Sequence, residues 1–261
     1  MNSTGVRHFY KFRSLGDKSI KHVERILTNN ELYFSNPNGF NDPFDCLPIL
    51  SLDLTQNEYS EYLNDLYKRE MPEASRTERK AIIKTIVKDK TQNHHSLKFK
   101  KLLDLHMSNF VNNTGVLSLS VNFKHVLMWS HYADSHKGIC LRFKAPSTES
   151  FFCRAKKVIY QKDRPIVNFI KERYDRKPDN ALITKADFWS YEEEWRIIDH
   201  IKGYGVQIFP GELLDGIIFG VKISDENRKK VLTWIDNREH DIEILEAKIC
   251  EKTFRVVVTP I

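Results

Sequence analysis

The chain of 261 residues is 41% apolar and 11% aromatic and carries a formal charge of +6. This is the composition of a folded globular protein, which excludes a disordered chain, and the length suits one large domain or two small ones. No apolar run approaches the roughly 20 residues a bilayer-spanning helix needs, and Met1–His8 lacks the apolar core of a signal peptide, so a cytoplasmic protein is expected. Cys46, Cys140, Cys153 and Cys250 are scattered with no Cys-x-x-Cys pair, which removes support for zinc-ribbon and dithiol chemistry and predicts four reduced thiols.

In chain order, alternation predicts a strand over Phe9–Arg13, with Phe9, Lys11 and Arg13 on one face and Tyr10 and Phe12 on the other. Asp17 or Ser19 caps a helix whose stripe is Ile20, Val23, Ile26 and Leu27. A second strand over Glu31–Ser35 runs into Asn36–Asp45, an ordered turn by its two prolines, glycine and asparagines. Residues 54–112 read as a helical insertion, with a Ser75-x-x-Glu78 capping box ahead of Ile82, Ile83, Ile86 and Val87. His94-His95 falls in a polar connector within it.

Strand character returns at Val116–Val121. A short helix over Val126–Ala133 is stopped by Gly138, and Ile139–Phe143 alternates again. Pro165–Tyr174 reads as a basic helix, and Leu182, Ala186 and Trp189 as the last turns of another, which hands over to a strand at Trp195–Ile201. Strands near 205–209, 216–221, 242–249 and 254–259, with a helix after Ser224, complete one α+β domain with a mixed or antiparallel sheet core. The strands near 8–13, 31–35, 116–121, 139–144 and 195–201 are expected in one sheet system.

Four clusters carry chemistry. Glu192, Glu193 and Glu194 sit at the handover into the last of these strands, and a carboxylate on a rigid element suits catalysis. Glu194 leads, with Glu192 on its side of the chain; the stretch also reads as a solvated acidic turn. Asn41-Asp42-Pro-Phe-Asp45 places polar groups on a loop directly after a strand, where binding residues collect. His131, Tyr132 and Asp134 offer hydrogen bonds or stacking to a ribose or base, or metal ligation together with Asp42 and Asp45. Phe152–Lys177 holds nine basic and three acidic residues, the surplus of the whole chain. Such a patch suits a phosphate backbone, with Lys156, Lys157, Arg173 and Arg176 as contacts. No glycine-rich dinucleotide loop, Walker loop or nucleophile elbow is present.

Tyr10-Lys-Phe-Arg13, Leu32-Tyr-Phe-Ser35, Phe40-Asn-Asp-Pro-Phe-Asp45, Leu117-Ser-Leu-Ser120, Met128-Trp-Ser-His-Tyr-Ala133 with Lys137-Gly138, and Trp189-Ser-Tyr-Glu-Glu-Glu-Trp-Arg196 together resemble a bacterial family of domains of unknown function. The likeness spans about residues 8–200, and that family is often found near mobile elements and phage-defence genes. More remotely, the layout is similar to the ADP-ribosyltransferase fold, above all to toxins that modify DNA. The resemblance implies an NAD-dependent ADP-ribosyltransferase or NAD glycohydrolase, acting on nucleic acid or protein as a toxin or in antiviral defence. An antitoxin or defence-system protein is the partner it implies.

On this likeness Lys11 or Arg13 takes the first NAD-holding position, Tyr33 or Ser35 the second, and Glu194 the catalytic one. Asn41, Asp42, His131 and Tyr132 join the NAD contacts, Phe34 or Tyr132 stacks on nicotinamide, and no metal is needed. A metal-dependent nuclease built on Asp42, Asp45, His131 and Asp134 is the alternative, and a non-catalytic nucleic-acid-binding or sensor module is the third reading.

Overall fold

Alternating strands bury their apolar faces by pairing, and helices then cover the faces of the sheet. The computed structural model describes residues 5–51, 54–88, 101, 104–105, 107–145, 150–168 and 179–261. Its main sheet has eight strands: β1 (His8–Arg13), β4 (Gly115–Ser120), β5 (Ile139–Lys144), β6 (Lys156–Lys157), β10 (Glu194–Asp199), β12 (Leu214–Phe219), β13 (Glu243–Ile249) and β14 (Val256–Pro260). They run in the order β14-β13-β12-β5-β1-β4-β10-β6. Every pairing is antiparallel except β12 with β13, so the molecule is α+β with a mostly antiparallel sheet.

Helix α1 (Ile20–Asn29) buries Val23, Ile26 and Leu27 against one face, in a cluster with Phe9, Leu117, Leu141, Phe143, Ile197 and Phe219. On the opposite face Phe12, Cys140 and Ile218 pack with Met128 and Trp129. Trp129 is fully enclosed and meets the Phe12 ring edge-on, 5.1 Å between centroids. Fully burying one such side chain contributes roughly 1.5–3 kcal/mol. Helices α2 (Gln56–Glu70) and α3 (Arg76–Lys88) form their own small core from Leu54, Tyr59, Tyr62, Leu63 and Ile83. The capping box predicted at Ser75 is made, Ser75 N–H donating to Glu78 and Glu78 N–H to the Ser75 hydroxyl. Among the described residues of 54–112 there is helix and turn but no strand.

Three expectations are corrected. First, β2 (Glu31–Phe34) lies outside the main sheet. It pairs with β11 (Gly205–Ile208) in a two-stranded sheet and joins β4 through the single Ser35–Val116 bridge. Alternation shows that a segment is extended, not which partner it finds.

Second, the segment before Glu194 is not the end of an α-helix through Leu182, Ala186 and Trp189. A four-residue helix, Asp179–Leu182, gives way to β9 (Thr184–Ala186) and then to a 3₁₀ helix over Asp187–Glu192. β9 pairs in parallel with β7 (Ile159–Gln161), and this extended pairing replaces the helical turn that the Leu182, Ala186 and Trp189 spacing suggested.

Third, the start of the expected basic helix is β8 (Ile166–Val167), parallel to β3 (Ile49–Leu50), and its continuation lies outside the described residues.

Helix α4 (Val126–Tyr132) ends ahead of Gly138, not at it: Asp134, Ser135 and His136, all with positive φ, turn the chain, and the Gly138 N–H then donates to the Ala133 carbonyl at 2.8 Å. A Cβ on Gly138 would lie 2.1 Å from the Arg13 carbonyl oxygen, so this turn is pressed onto the last residue of β1. Gly138→Ala is expected to cost about 1–3 kcal/mol, as overpacking a fitted contact does. An unchanged urea midpoint would show that the Arg13 backbone yields freely.

Candidate active site

The cavity follows from how two strands part. β1 and β4 meet at Tyr10 and Ser120 alone, whereas β4 pairs with β10 along its whole length. In the wedge between them opens a cavity of about 170 Å³ lined by, among others, Lys11, Arg13, Asn41, Tyr132, Glu192 and Glu194. Lys11 spans the gap, its amine donating to the Ser118 carbonyl at 2.7 Å, an acceptor that β1 leaves without a ladder bond.

Glu194 is the first residue of β10, and Arg196 follows it on the same face. Both are buried, Arg196 completely. The Arg196 Nε and a terminal nitrogen grip the two Glu194 oxygens at 2.8 and 2.9 Å. Its two terminal nitrogens also hold the Asp45 carboxylate at 2.8 and 2.7 Å. The Leu182 carbonyl accepts a further bond at 2.7 Å, and the guanidinium lies 5.4 Å over the Phe40 ring. One arginine thus ties β10 to the Asn36–Asp45 turn and to the Asp179–Leu182 helix.

Lys185, on β9, is the second buried cation. Its Nζ reaches Glu192 at 2.5 Å, Glu194 at 3.3 Å and Asp45 at 3.7 Å, and stands over the Trp189 ring. Tyr132 donates from its hydroxyl to the other Glu192 oxygen at 2.6 Å, and the Asn41 side chain reaches that same tyrosine. Between the two carboxylates, Glu193 adopts a left-handed backbone with φ 44°, its side chain outside, accepting from Asn122. Glu192 and Glu194 therefore face inward together, as their two-residue spacing predicted.

The two carboxylates titrate in opposite directions. Burial pushes Glu194 up, but Arg196 and then Lys185 outweigh it and hold the group at about 2. Burial also pushes Glu192 up, and there Lys185 and Tyr132 do not outweigh it, so its pKa stays raised. The cations divide as well. Burial lowers Lys185, but Glu194, Glu192 and Asp45 reverse this and leave it raised. Burial lowers Arg13 to about 10. Burial and then the Arg13 charge push Lys11 well below the ordinary lysine value. Arg13 Nε is enclosed without a hydrogen-bond partner, although the side chain as a whole keeps some exposure.

Several expected contacts are not brought to this cavity. Tyr33 is exposed and faces His22, and Ser35 is spent on its main-chain bridge to Val116. Phe34 is fully buried in the core and is not available to stack on a ligand. All three follow from β2 leaving the main sheet. Asp42 accepts from the Trp189 indole at 2.8 Å and its own loop's Phe44 N–H. His131 sits outside, against Trp189 and Tyr191, and Asp134 lies beyond the helix in an exposed turn.

With Asp45 held by Arg196, the metal set of Asp42, Asp45, His131 and Asp134 is not assembled. Among the described residues no group of three or more His, Cys, Asp or Glu is placed for a metal. In the basic stretch, Lys156 pairs with Asp179 at 2.6 Å, Arg154 reaches Asp199 and Gln207, and Arg164 bonds the Leu47 and Pro48 carbonyls. Lys157 is exposed, while Arg173 and Arg176 lie outside the described residues.

Sequence reasoning missed Lys185 and Arg196 as members of the site. The available signal was the position of Arg196, two residues after Glu194 and hence on its face. Nothing in the residue spacing marked Lys185, whose partners are Asp45, Glu192 in the 3₁₀ helix and Glu194 on β10.

A family described as "Protein of unknown function (DUF2971)" matches residues 128–197. That span contains Tyr132, Lys185, Glu192, Glu194 and Arg196, and stops short of β1 with Lys11 and Arg13. Neither the curated proteins nor the solved structures compared with the chain gave a match.

Proposed function

We propose that the cavity cleaves the nicotinamide–ribose bond of NAD and passes the ADP-ribosyl group to an acceptor or to water. What carries the reading is the pair of inward carboxylates held in opposite protonation tendencies, on a cavity that also holds the enclosed, unpartnered Nε of Arg13. Paired groups pushed apart in this way divide the acid, base and charge-stabilising roles between them. As nicotinamide leaves with the bonding electrons, positive charge develops on the ribose. Glu194, ionised at any physiological pH, stabilises that charge. Glu192 accepts the proton of the attacking hydroxyl or water. Arg13 holds a phosphate, its fork matching the anion's oxygens.

At about 170 Å³ the cavity is smaller than the roughly 300–1,000 Å³ of a pocket for a whole drug-sized ligand. The nicotinamide ribose and its phosphate at Arg13 enter, and the rest of the dinucleotide lies along the adjoining groove of about 620 Å³ beyond Phe40 and Asp45. Nucleic acid, met by Lys157 beside β10, is the favoured acceptor over protein.

The test incubates purified protein with labelled NAD and single-stranded DNA, RNA or bulk protein, with and without EDTA. Consumption of NAD that resists EDTA is expected. No consumption with any acceptor would end this reading in favour of a binding module, and divalent-dependent cutting without NAD would favour a nuclease.

A further inference from the structure

Two lysines line the cavity, and their surroundings are opposite. Lys185 Nζ lies within 3.7 Å of three carboxylates. Lys11 makes no ion pair among the described residues. Its single hydrogen bond goes to the Ser118 carbonyl, and the charge two residues along its strand is another cation, Arg13. Desolvation and the Arg13 charge favour the neutral form of this largely enclosed amine, against the opposing pull of the Glu194 carboxylate. In that form one N–H is committed to Ser118 and the nitrogen carries a lone pair. Neutral lysines in enclosed sites serve as nucleophiles toward carbonyl carbon. Lys11 is thus a poor second phosphate clamp beside Arg13, and its chemistry points elsewhere.

We propose that Lys11 is a nucleophilic amine that forms an imine with an aldehyde bearing a phosphate group, Arg13 holding the phosphate. The lone pair on Nζ attacks the carbonyl carbon; the nitrogen, now positive, gives one proton to the Glu192 carboxylate, which passes it to the carbonyl oxygen to give a carbinolamine. The second N–H proton follows the same route to the hydroxyl, which leaves as water while the C=N bond closes. Amine plus aldehyde gives imine plus water, with no change of oxidation state. Glu192, whose pKa is raised above an ordinary glutamate's, is suited to carry the proton in both directions. Arg13 and Lys11 alternate along β1, about 6.5 Å apart along the strand, which matches a short phosphorylated aldehyde. This role does not rest on the NAD reading.

The probe is pyridoxal 5′-phosphate, an aldehyde with a phosphate, against pyridoxal, which lacks it. Wild-type protein is treated with each at pH 7, reduced with borohydride, digested, and each lysine's occupancy read by mass spectrometry. A lysine whose pKa is lowered keeps more of its amine unprotonated at neutral pH. Lys11 is expected to label severalfold faster than exposed Lys18, Lys124 and Lys229. Its half-maximal pH should lie below theirs, and the phosphate probe should be preferred at Lys11 alone. Arg13→Met should abolish that preference and leave surface labelling unchanged. Lys11 left unlabelled while the exposed lysines react, or labelled with their pH profile and no phosphate preference, would overturn the assignment. Because no NAD is present, failure here is distinct from failure of the proposed reaction.

Discussion

Arg196→Met should lose about 3–5 kcal/mol of stability, the largest effect expected of any single substitution in this protein. Methionine fills much of the volume but leaves the Asp45 and Glu194 carboxylates buried without the guanidinium that holds both. Breaking a buried pair from one side costs this much because the orphaned charge remains, and typical domains have only about 5–15 kcal/mol in total. Urea unfolding measures it, and a loss below about 1 kcal/mol would mean that the network is solvated and unimportant. Adding Asp45→Asn and Glu194→Gln to the variant should recover part of the loss, since the cost comes from uncompensated charge rather than missing volume.

Acid supplies a second check on the same variant. In the wild type Glu194 titrates at about 2, below its ordinary 4.5. Its contribution to stability is therefore complete above 4.5 and is lost as pH falls from there toward 2. Without Arg196 the chief cause of that depression is gone, and burial raises the group instead. Arg196→Met should accordingly lose less stability than the wild type as pH is lowered through this window.

Glu192→Gln and Glu194→Gln should separate chemistry from stability. Both are expected to lower NAD turnover, by roughly 10²–10⁴ for the proton acceptor and 10²–10³ for the fixed charge. Their effects on stability should differ. Glu194→Gln weakens the bidentate grip of Arg196 and should destabilise the fold. Glu192 has the opposite sign: its pKa is raised, so its ionised form at neutral pH is a cost of folding that is absent below the unfolded value. Glu192→Gln removes that cost and should leave stability at pH 7 equal or higher. It should also erase the acid limb of the pH–rate profile. Glu193→Gln, whose carboxylate meets Asn122 at the surface, should be nearly silent in both assays. Three equal responses would refute the division of labour between these carboxylates.

By itself the sequence determined the elements whose signal is local. Period-two alternation marked β1, β4, β5 and β10, because a half-buried strand must alternate. The Ser75-x-x-Glu78 box and the inward pairing of Glu192 with Glu194 were legible for the same reason: each depends on a few consecutive residues. The exit of β2 from the main sheet was not legible, because pairing with β11 is settled more than 170 residues downstream. Nor was the 3₁₀ turn at Asp187–Glu192, which follows from the β7–β9 pairing.

The state of the site's charges belonged to tertiary structure most of all. Whether Arg196 is a surface cation or a buried clamp depends on Asp45, 151 positions away. Whether Lys185 keeps its proton and Lys11 tends to lose it depends on which strand each lysine faces. Charge and desolvation act through space, at distances of a few ångströms, so only the fold decided which carboxylate is held ionised and which carboxylate and amine are pushed toward their neutral forms.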